Sequence, residues 1–209
     1  MPDDFLMKVR RAGASALLIE CADADRVEDW RAELWRRRES GELRVEEIVP
    51  GARTVLLDGV DPEIVERLAS WEPPPGGARA EGPLVEVPTI FDGEDLADVA
   101  EIWQVSVAEA VKRLVETPLT VAFCGFAPGF AYLRGFPEAW SVPRLAAPRP
   151  RVPAGSVALA AGYAGIYPAA SPGGWRLVGH THLEIFDVRR EHPSLLVPGT
   201  RVNLVEEKK

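Results

Sequence analysis

Residues 125–176, GFAPGFAYLRGFPEAWSVPRLAAPRPRVPAGSVALAAGYAGIYPAASPGGWR, restrict what this chain can fold into more than any other stretch. Between Gly125 and Gly174 there are eight glycines and eight prolines. Glycine opens φ > 0 and close backbone approach, while proline fixes φ and removes a donor, so the segment reads as a stiff, turn-rich loop system. It also packs: Phe126, Phe130, Tyr132, Phe136, Trp140, Tyr163, Tyr167 and Trp175 are more aromatic residues than a solvated linker carries. One reading makes these the corners of a β-barrel with aromatic plugs. Charge supplies a second, because Arg134, Arg144, Arg149 and Arg151 stand against Glu138 alone in a chain of net charge −8. A cationic island in an acidic chain is what a preformed anion pocket needs, and the residues alone leave both readings standing.

The same acidic balance argues against nucleic acid as the general partner, since phosphate-binding proteins present a basic face. With 209 residues, 46% of them hydrophobic, the chain can bury a real core in one domain or two small ones. No apolar run approaches the roughly 18–20 residues of a spanning helix, and MPDDFLMKVRRAG lacks the apolar centre of a signal peptide, so a cytoplasmic protein is expected. Cys21 and Cys124 lie in apolar, strand-like runs, where a reduced thiol behaves as a small hydrophobe. A nucleophilic Cys124 would need a base such as His180 or His182 brought to it by the fold. No Cys/His spacing resembles a metal site.

Ahead of the island, Ala14–Cys21 reads as a buried strand and the next segment as a helix. Asp23, Asp25, Glu28 and Asp29 at its start and Arg36, Arg37 and Arg38 near its end match the helix dipole, and Gly41 closes it. Leu43–Val49 and Thr54–Leu57 read as strands joined at Pro50-Gly51, and Asp61-Pro62 starts a second helix. This order is most of a ferredoxin-like βαββαβ unit, with its last strand not evident. The run from Glu72-Pro73-Pro74-Pro75 to Gly82-Pro83 breaks both periodicities and sets the expected domains, a small α/β domain at 1–82 and a β-barrel domain at 83–209. Beyond it, Leu84–Phe91 reads as a strand, Asp92–Trp103 as a helix, and Ser106 with Glu109 as the capping box of another helix that Pro118 ends. Leu119–Cys124, Val157–Ala161, Trp175–Val178, His182–Asp187 and Arg201–Val205 are strand-like, and short strands joined by Gly/Pro turns favour a closed barrel without free edges.

Arginine holds a carboxylate or phosphate in a planar fork at any working pH, which makes Arg149 and Arg151 in APRPRVPAG the candidate anion ligands. Pro148, Pro150 and Pro153 stiffen their backbone and reduce the entropy lost on binding. The alternative is a rim that only solubilises the barrel. Ser156 and Ser171 could offer hydroxyls, and the turn around Pro172 and Gly174 a nest of backbone N–H groups, although serine at such places is more often a turn former. Tyr167 and Trp175 are the candidate walls of the pocket. His180 and His182 share a face by strand alternation. There is no glycine-lysine phosphate loop and no nucleotide-binding glycine fingerprint, so ATP chemistry lacks a sequence signal within this chain. No catalytic residue can be named from the residues alone.

At GFAPGFAYL, PRPRVPAGSVALA, GIYP and SPGGWRLVGHT the chain resembles the subunit-1 family of allophanate-hydrolase-like proteins. That family comprises the B-type subunit of 5-oxoprolinase, related histidine-kinase inhibitors and the matching half of the urea amidolyase carboxyltransferase domain. The resemblance implies an α+β protein in which a small N-terminal domain precedes a cyclophilin-like β-barrel, framed by Gly125, Pro128, Gly129, Pro153, Gly155, Pro172 and Gly174. For a small-molecule substrate, the candidate binding groups read from the residues themselves are Arg149, Arg151, Ser156, Tyr167, Trp175 and His180. The resemblance further implies a cyclophilin-like subunit-2 (C-type) partner, an amidohydrolase-like third subunit, and ATP-driven opening of 5-oxo-L-proline to L-glutamate by the complex. A regulator of a sensor histidine kinase and a carboxyltransferase-like module are the alternatives within the family. Where similar sequences often carry a histidine, an arginine and two threonines, this chain has Val115, His180, Ala147 and Pro150, so the frame is kept while the ligand groups differ.

Overall fold

In a computed structural model, residues 8–76 and 82–208 are described, and the chain divides into two compact units, Met1–Ala80 and Glu81–Lys209. The first unit is a four-stranded antiparallel sheet built from β1 (Lys8–Arg11), β2 (Ala16–Glu20), β3 (Glu47–Pro50) and β4 (Thr54–Asp58), in the order β1-β2-β4-β3. Helix α1 (Ala24–Glu39) starts where the Asp23 carboxylate accepts the Arg26 N–H at 2.8 Å, which satisfies one orphan donor of the first turn. Its Val27, Trp30 and Leu34 recur at helical spacing and are buried with Leu17, Ile19, Val55 and Leu57 of the sheet. The short α2 (Val65–Leu68) follows, flanked by single 3-10 turns.

The expected βαββαβ order is not the observed one. The order is ββαββα, and the fourth strand is β1, from the beginning of the chain rather than from the end of the unit. After Trp71 the chain enters Glu72-Pro73-Pro74-Pro75, where three successive residues lack the N–H a ladder requires. Part of the expected linker is also held in place. Pro73 is buried with its carbonyl accepting from Arg26 at 2.9 Å, and the Gly76 N–H donates to Asp29 at 3.1 Å. Burial pushes the Cys21 thiol up to about 11, so Cys21 is an inert neutral group of this core.

The second unit is a seven-stranded sheet of β5 (Leu84–Thr89), β6 (Leu119–Cys124), β7 (Ala131–Arg134), β9 (Ser156–Ala160), β10 (Tyr163–Ile166), β12 (Arg176–His180) and β13 (Arg201–Glu206). A separate ribbon pairs β8 (Arg149–Val152) with β11 (Ser171–Gly173). The strand order is β12-β9-β10-β7-β6-β13-β5, and only the β13–β5 pair is parallel. The two ends of that order meet. Ile90, one residue past β5, exchanges backbone hydrogen bonds with His180 at the end of β12, 2.9 Å each way. The sheet is therefore a nearly closed barrel, which removes the free edges that would invite association.

Two apolar layers explain why β9 is buried at all five positions. Val157 and Leu159 join α3 (Leu96–Ile102) and α4 (Val107–Glu116) in one core, while Ala158 and Ala160 join Phe130, Tyr167, Trp175, Leu177 and Val152 of the ribbon in the other. A strand covered on both faces has no polar side, which is why its sequence, SVALA, shows no alternation. The Ser106 hydroxyl caps α4 by accepting the Glu109 N–H at 3.1 Å, as the sequence implies. The expected strand His182–Asp187 is absent. There Leu195 N–H donates to Ile185 and Asp187 N–H to the Pro193 carbonyl, a local loop pairing that Pro193 keeps from extending.

Ala161, exposed in the turn between β9 and β10, has φ +51. The left-handed conformation costs a residue with a Cβ about 1–2 kcal/mol, partly offset by the greater unfolded-state freedom of glycine. Ala161→Gly is expected to raise the denaturant midpoint by the equivalent of up to about 1 kcal/mol at unchanged m-value. A lowered midpoint would show that the turn is not strained.

Candidate functional site

The segment Ile90–Asp98 runs beside β12 and meets the cationic island from the other side. Gly93 N–H donates to Val178 at 3.2 Å and Asp95 N–H to Leu177 at 3.0 Å, continuing the Ile90–His180 pairing into a seam. Four carboxylates lie along it. Arg149 places Nη2 at 2.8 and 2.9 Å from the two Asp95 oxygens and Nε at 2.6 Å from Glu94, and its Nη1 donates to the Trp175 carbonyl at 3.3 Å. Asp95 is buried, and its second oxygen also accepts the Leu177 N–H at 2.6 Å. Arg176 holds Asp98 at 2.9 Å, and His180 Nδ1 lies 2.8 Å from Asp92.

This arrangement corrects the role expected of Arg149. The carboxylate in its fork is the protein's own, and all its donor nitrogens have partners within the unit. Burial acts to lower the Arg149 pKa, but the bonds and charge of Asp95 and Glu94 together raise it, so the guanidinium is locked in its charged form. The helix expected at Asp92 begins instead at Leu96, after a turn in which the Leu96 N–H donates to the Gly93 carbonyl at 3.1 Å while Gly93 and Asp95 are bonded to β12. Asp95, at the N-cap position of α3, makes no capping bond, its carboxylate being engaged by Arg149 and Leu177.

Tyr167 and Trp175 are core residues rather than pocket walls. Their rings pack edge-to-face on Phe130 with centroids 5.3 and 5.5 Å away. Burial raises the Tyr167 pKa, with a smaller rise from Tyr132, against which Arg144, a backbone hydrogen bond from Trp175 and Arg149 act. Gly125, Pro128 and Gly129 form the tight turn from β6 to β7, in which Gly125 N–H donates to Phe130 at 3.1 Å. Pro153 and Gly155 turn β8 into β9, Pro172 sits exposed in β11, and the Gly174 carbonyl accepts the Leu145 N–H at 2.8 Å. Cys124 donates to the Leu196 carbonyl at 3.5 Å, and burial pushes its thiol up, so it is held neutral and is no nucleophile.

Two candidates, Ser156 and His180, remain together on the aromatic face of the barrel. Ser156 is two residues from Ala158 on β9 and directly opposite His180 on β12, so both side chains leave the sheet on that face. Ser156 is buried, whereas His180 is about a third exposed and its ring lies 5.2 Å, edge-on, from that of His182. Arg151 is exposed on the ribbon and, like Arg144, makes no ion pair among the described residues. The residues missed at the sequence level are Asp92, Glu94, Asp95 and Asp98. Their signal was DGEDLAD itself, four acids in seven residues facing a basic island elsewhere in the chain.

The chain belongs to the carboxyltransferase-domain family, whose subdomains C and D match residues 7–196. Among its relatives, the B-type subunit of 5-oxoprolinase from Escherichia coli O157:H7 is 39% identical over 172 residues, covering 78% of this chain and 79% of that protein. The crystal structure of TTHA0988 superposes with a TM-score of 0.73 at 33% identity, over 97% of this chain and 41% of that one, so this chain spans about two fifths of its length. The Kluyveromyces lactis urea amidolyase, at 18% identity, shares the fold with a TM-score of 0.70 over 97% of this chain and 15% of that one.

Proposed function

We propose that this chain is the B-type component of a 5-oxoprolinase, acting in the cytoplasm on 5-oxo-L-proline, ATP and water to give L-glutamate, ADP and phosphate. The observation that carries this reading is the 39% identity to a 5-oxoprolinase component over 79% of that protein. Lactam hydrolysis with ATP requires a nucleotide site, an activated water and a site for the substrate carboxylate. On this reading a cyclophilin-like C-type partner and an amidohydrolase-like third subunit supply the nucleotide site. This chain supplies cations, with Arg151 and Arg144 left for a ligand once Arg149 is committed to Asp95, and the polar edge at Ser156 and His180. None of the described helices is long and apolar enough to cross a membrane.

The test is reconstitution from purified subunits with release of L-glutamate as the readout. The complete mixture is expected to form glutamate only with ATP present, and this chain alone to turn over neither ATP nor lactam. Undiminished glutamate release when this chain is left out would overturn the proposal.

A further inference from the structure

We infer that Phe126, held outward at the tip of the turn from β6 to β7, is the anchor by which the barrel docks a protein partner that offers an apolar pocket with an acidic rim. The inference takes the identity of that partner, the C-type subunit, from the 5-oxoprolinase reading above. Phe126 has φ +70, and across it the Ala127 N–H donates to the Gly125 carbonyl at 2.8 Å. A three-residue turn closed in this way with a positive central φ is the rare, strained form, and only glycine adopts it without steric cost. Burial of a large side chain could offset that strain. Here the ring is 63% exposed, so little is gained within the unit. Strain retained at an exposed aromatic residue points to a contact made with another molecule.

The turn holds that ring still. Gly125 N–H donates to the Phe130 carbonyl at 3.1 Å and Phe130 N–H to the Ala127 carbonyl at 3.0 Å, so the backbone on both sides of Phe126 is bonded. Gly129, at φ +80, lies against Phe186, where an added Cβ would stand 2.5 Å from the Phe186 Cβ. The Phe126 ring rests edge-on against Phe130 and Tyr167, with centroids 5.3 and 6.4 Å away. An aromatic anchor fixed before association loses little freedom on binding, and a few such residues commonly dominate an interface. Its surroundings set the partner's chemistry. Val188, two residues beyond Phe186, and Val197, next to the Leu196 that bonds Cys124, are exposed on the segments that flank the turn and extend its apolar surface. Arg144 is exposed, has no ion pair among the described residues, and lies close enough to Tyr167 for its charge to be felt there. A carboxylate on the rim of the partner's pocket would face it, leaving Arg151 for the ligand. In TTHA0988 the matching part is 41% of a longer chain, so a barrel of this kind occurs joined to further protein.

The experiment measures binding of the purified full chain to the C-type subunit by calorimetry and stopped flow. Phe126→Gly suits the positive φ and removes the ring, and is expected to raise Kd by about 30–700-fold while the thermal midpoint of the chain stays near wild type. Phe126→Asn, which also tolerates the left-handed region, should lose as much. Arg144→Glu should slow association about tenfold at low salt, a difference that shrinks as salt is raised. Wild-type affinity in both Phe126 variants, association indifferent to Arg144→Glu, or no binding by wild type overturns the inference. A chain that dimerises alone through Phe126 would assign the surface to a second copy and overturn it too. Glutamate release by the complete mixture tests the earlier reading separately. Release without a Phe126-dependent contact overturns the inference alone, and a Phe126-dependent contact without release overturns the 5-oxoprolinase reading alone.

Discussion

Arg149→Ala is expected to destabilise the barrel unit by about 3–5 kcal/mol, the range for breaking one side of a buried ion pair. The Asp95 side chain is only 7% exposed, and removing the guanidinium leaves its charge with the Leu177 N–H as compensation. Arg149→Lys should recover only part of the loss. An ammonium keeps the charge but cannot reach both Asp95 oxygens, Glu94 and the Trp175 carbonyl from one fork. Urea unfolding of the isolated chain checks this, and a change below about 0.5 kcal/mol would restore Arg149 to the rim.

Gly93→Ala is expected to damage the same seam from the opposite side. A Cβ at Gly93 would stand 2.3 Å from the Leu177 oxygen and 2.4 Å from the Val178 carbonyl carbon, both backbone atoms that cannot swing aside. Relief would require moving Ile90–Asp95 away from β12, which lengthens the Gly93–Val178 and Asp95–Leu177 hydrogen bonds and pulls Asp95 from Arg149. Overpacking typically costs about 1–3 kcal/mol, and the coupled loss of these bonds places this variant at or above the top of that range. Faster amide exchange at Gly93, Asp95 and His180 in the variant would localise the damage. Exchange and midpoint equal to wild type would show that the seam tolerates separation.

Local signals carry much of the architecture. The caps at Asp23 and Ser106, the apolar stripes of α1 and α4, and the break at the prolines after Trp71 are each set by neighbours a few residues apart, so they are legible in the sequence. The Gly/Pro density marks the corners of a barrel and its aromatic core. What is not legible depends on long-range pairing. Strand β1 is four residues, KVRR, with no alternation to mark it, and it exists because β2 offers it a partner. Strand β8 carries two arginines and a proline, and its ladder depends on β11. The acidic run at 92–98 has the composition of a helix start, and only the approach of β12 holds its first four residues out of the helix that begins at Leu96. The candidate site is hidden for the same reason. A rigid arginine fork in APRPR looks ready for a ligand until Asp95, 54 residues earlier, is found within it.

The measurement that tests the central claim most directly is a double-mutant cycle on Arg149→Met and Asp95→Asn, read by urea unfolding. The asparagine retains an acceptor for the Leu177 N–H, so the cycle isolates the ion pair. If the acidic seam commits the island's arginine to closing the barrel, the double variant should be markedly more stable than the sum of the single losses predicts, with a coupling of about 1.5–3 kcal/mol. Losses that add to within about 0.5 kcal/mol would contradict the account and leave Arg149 available to a ligand.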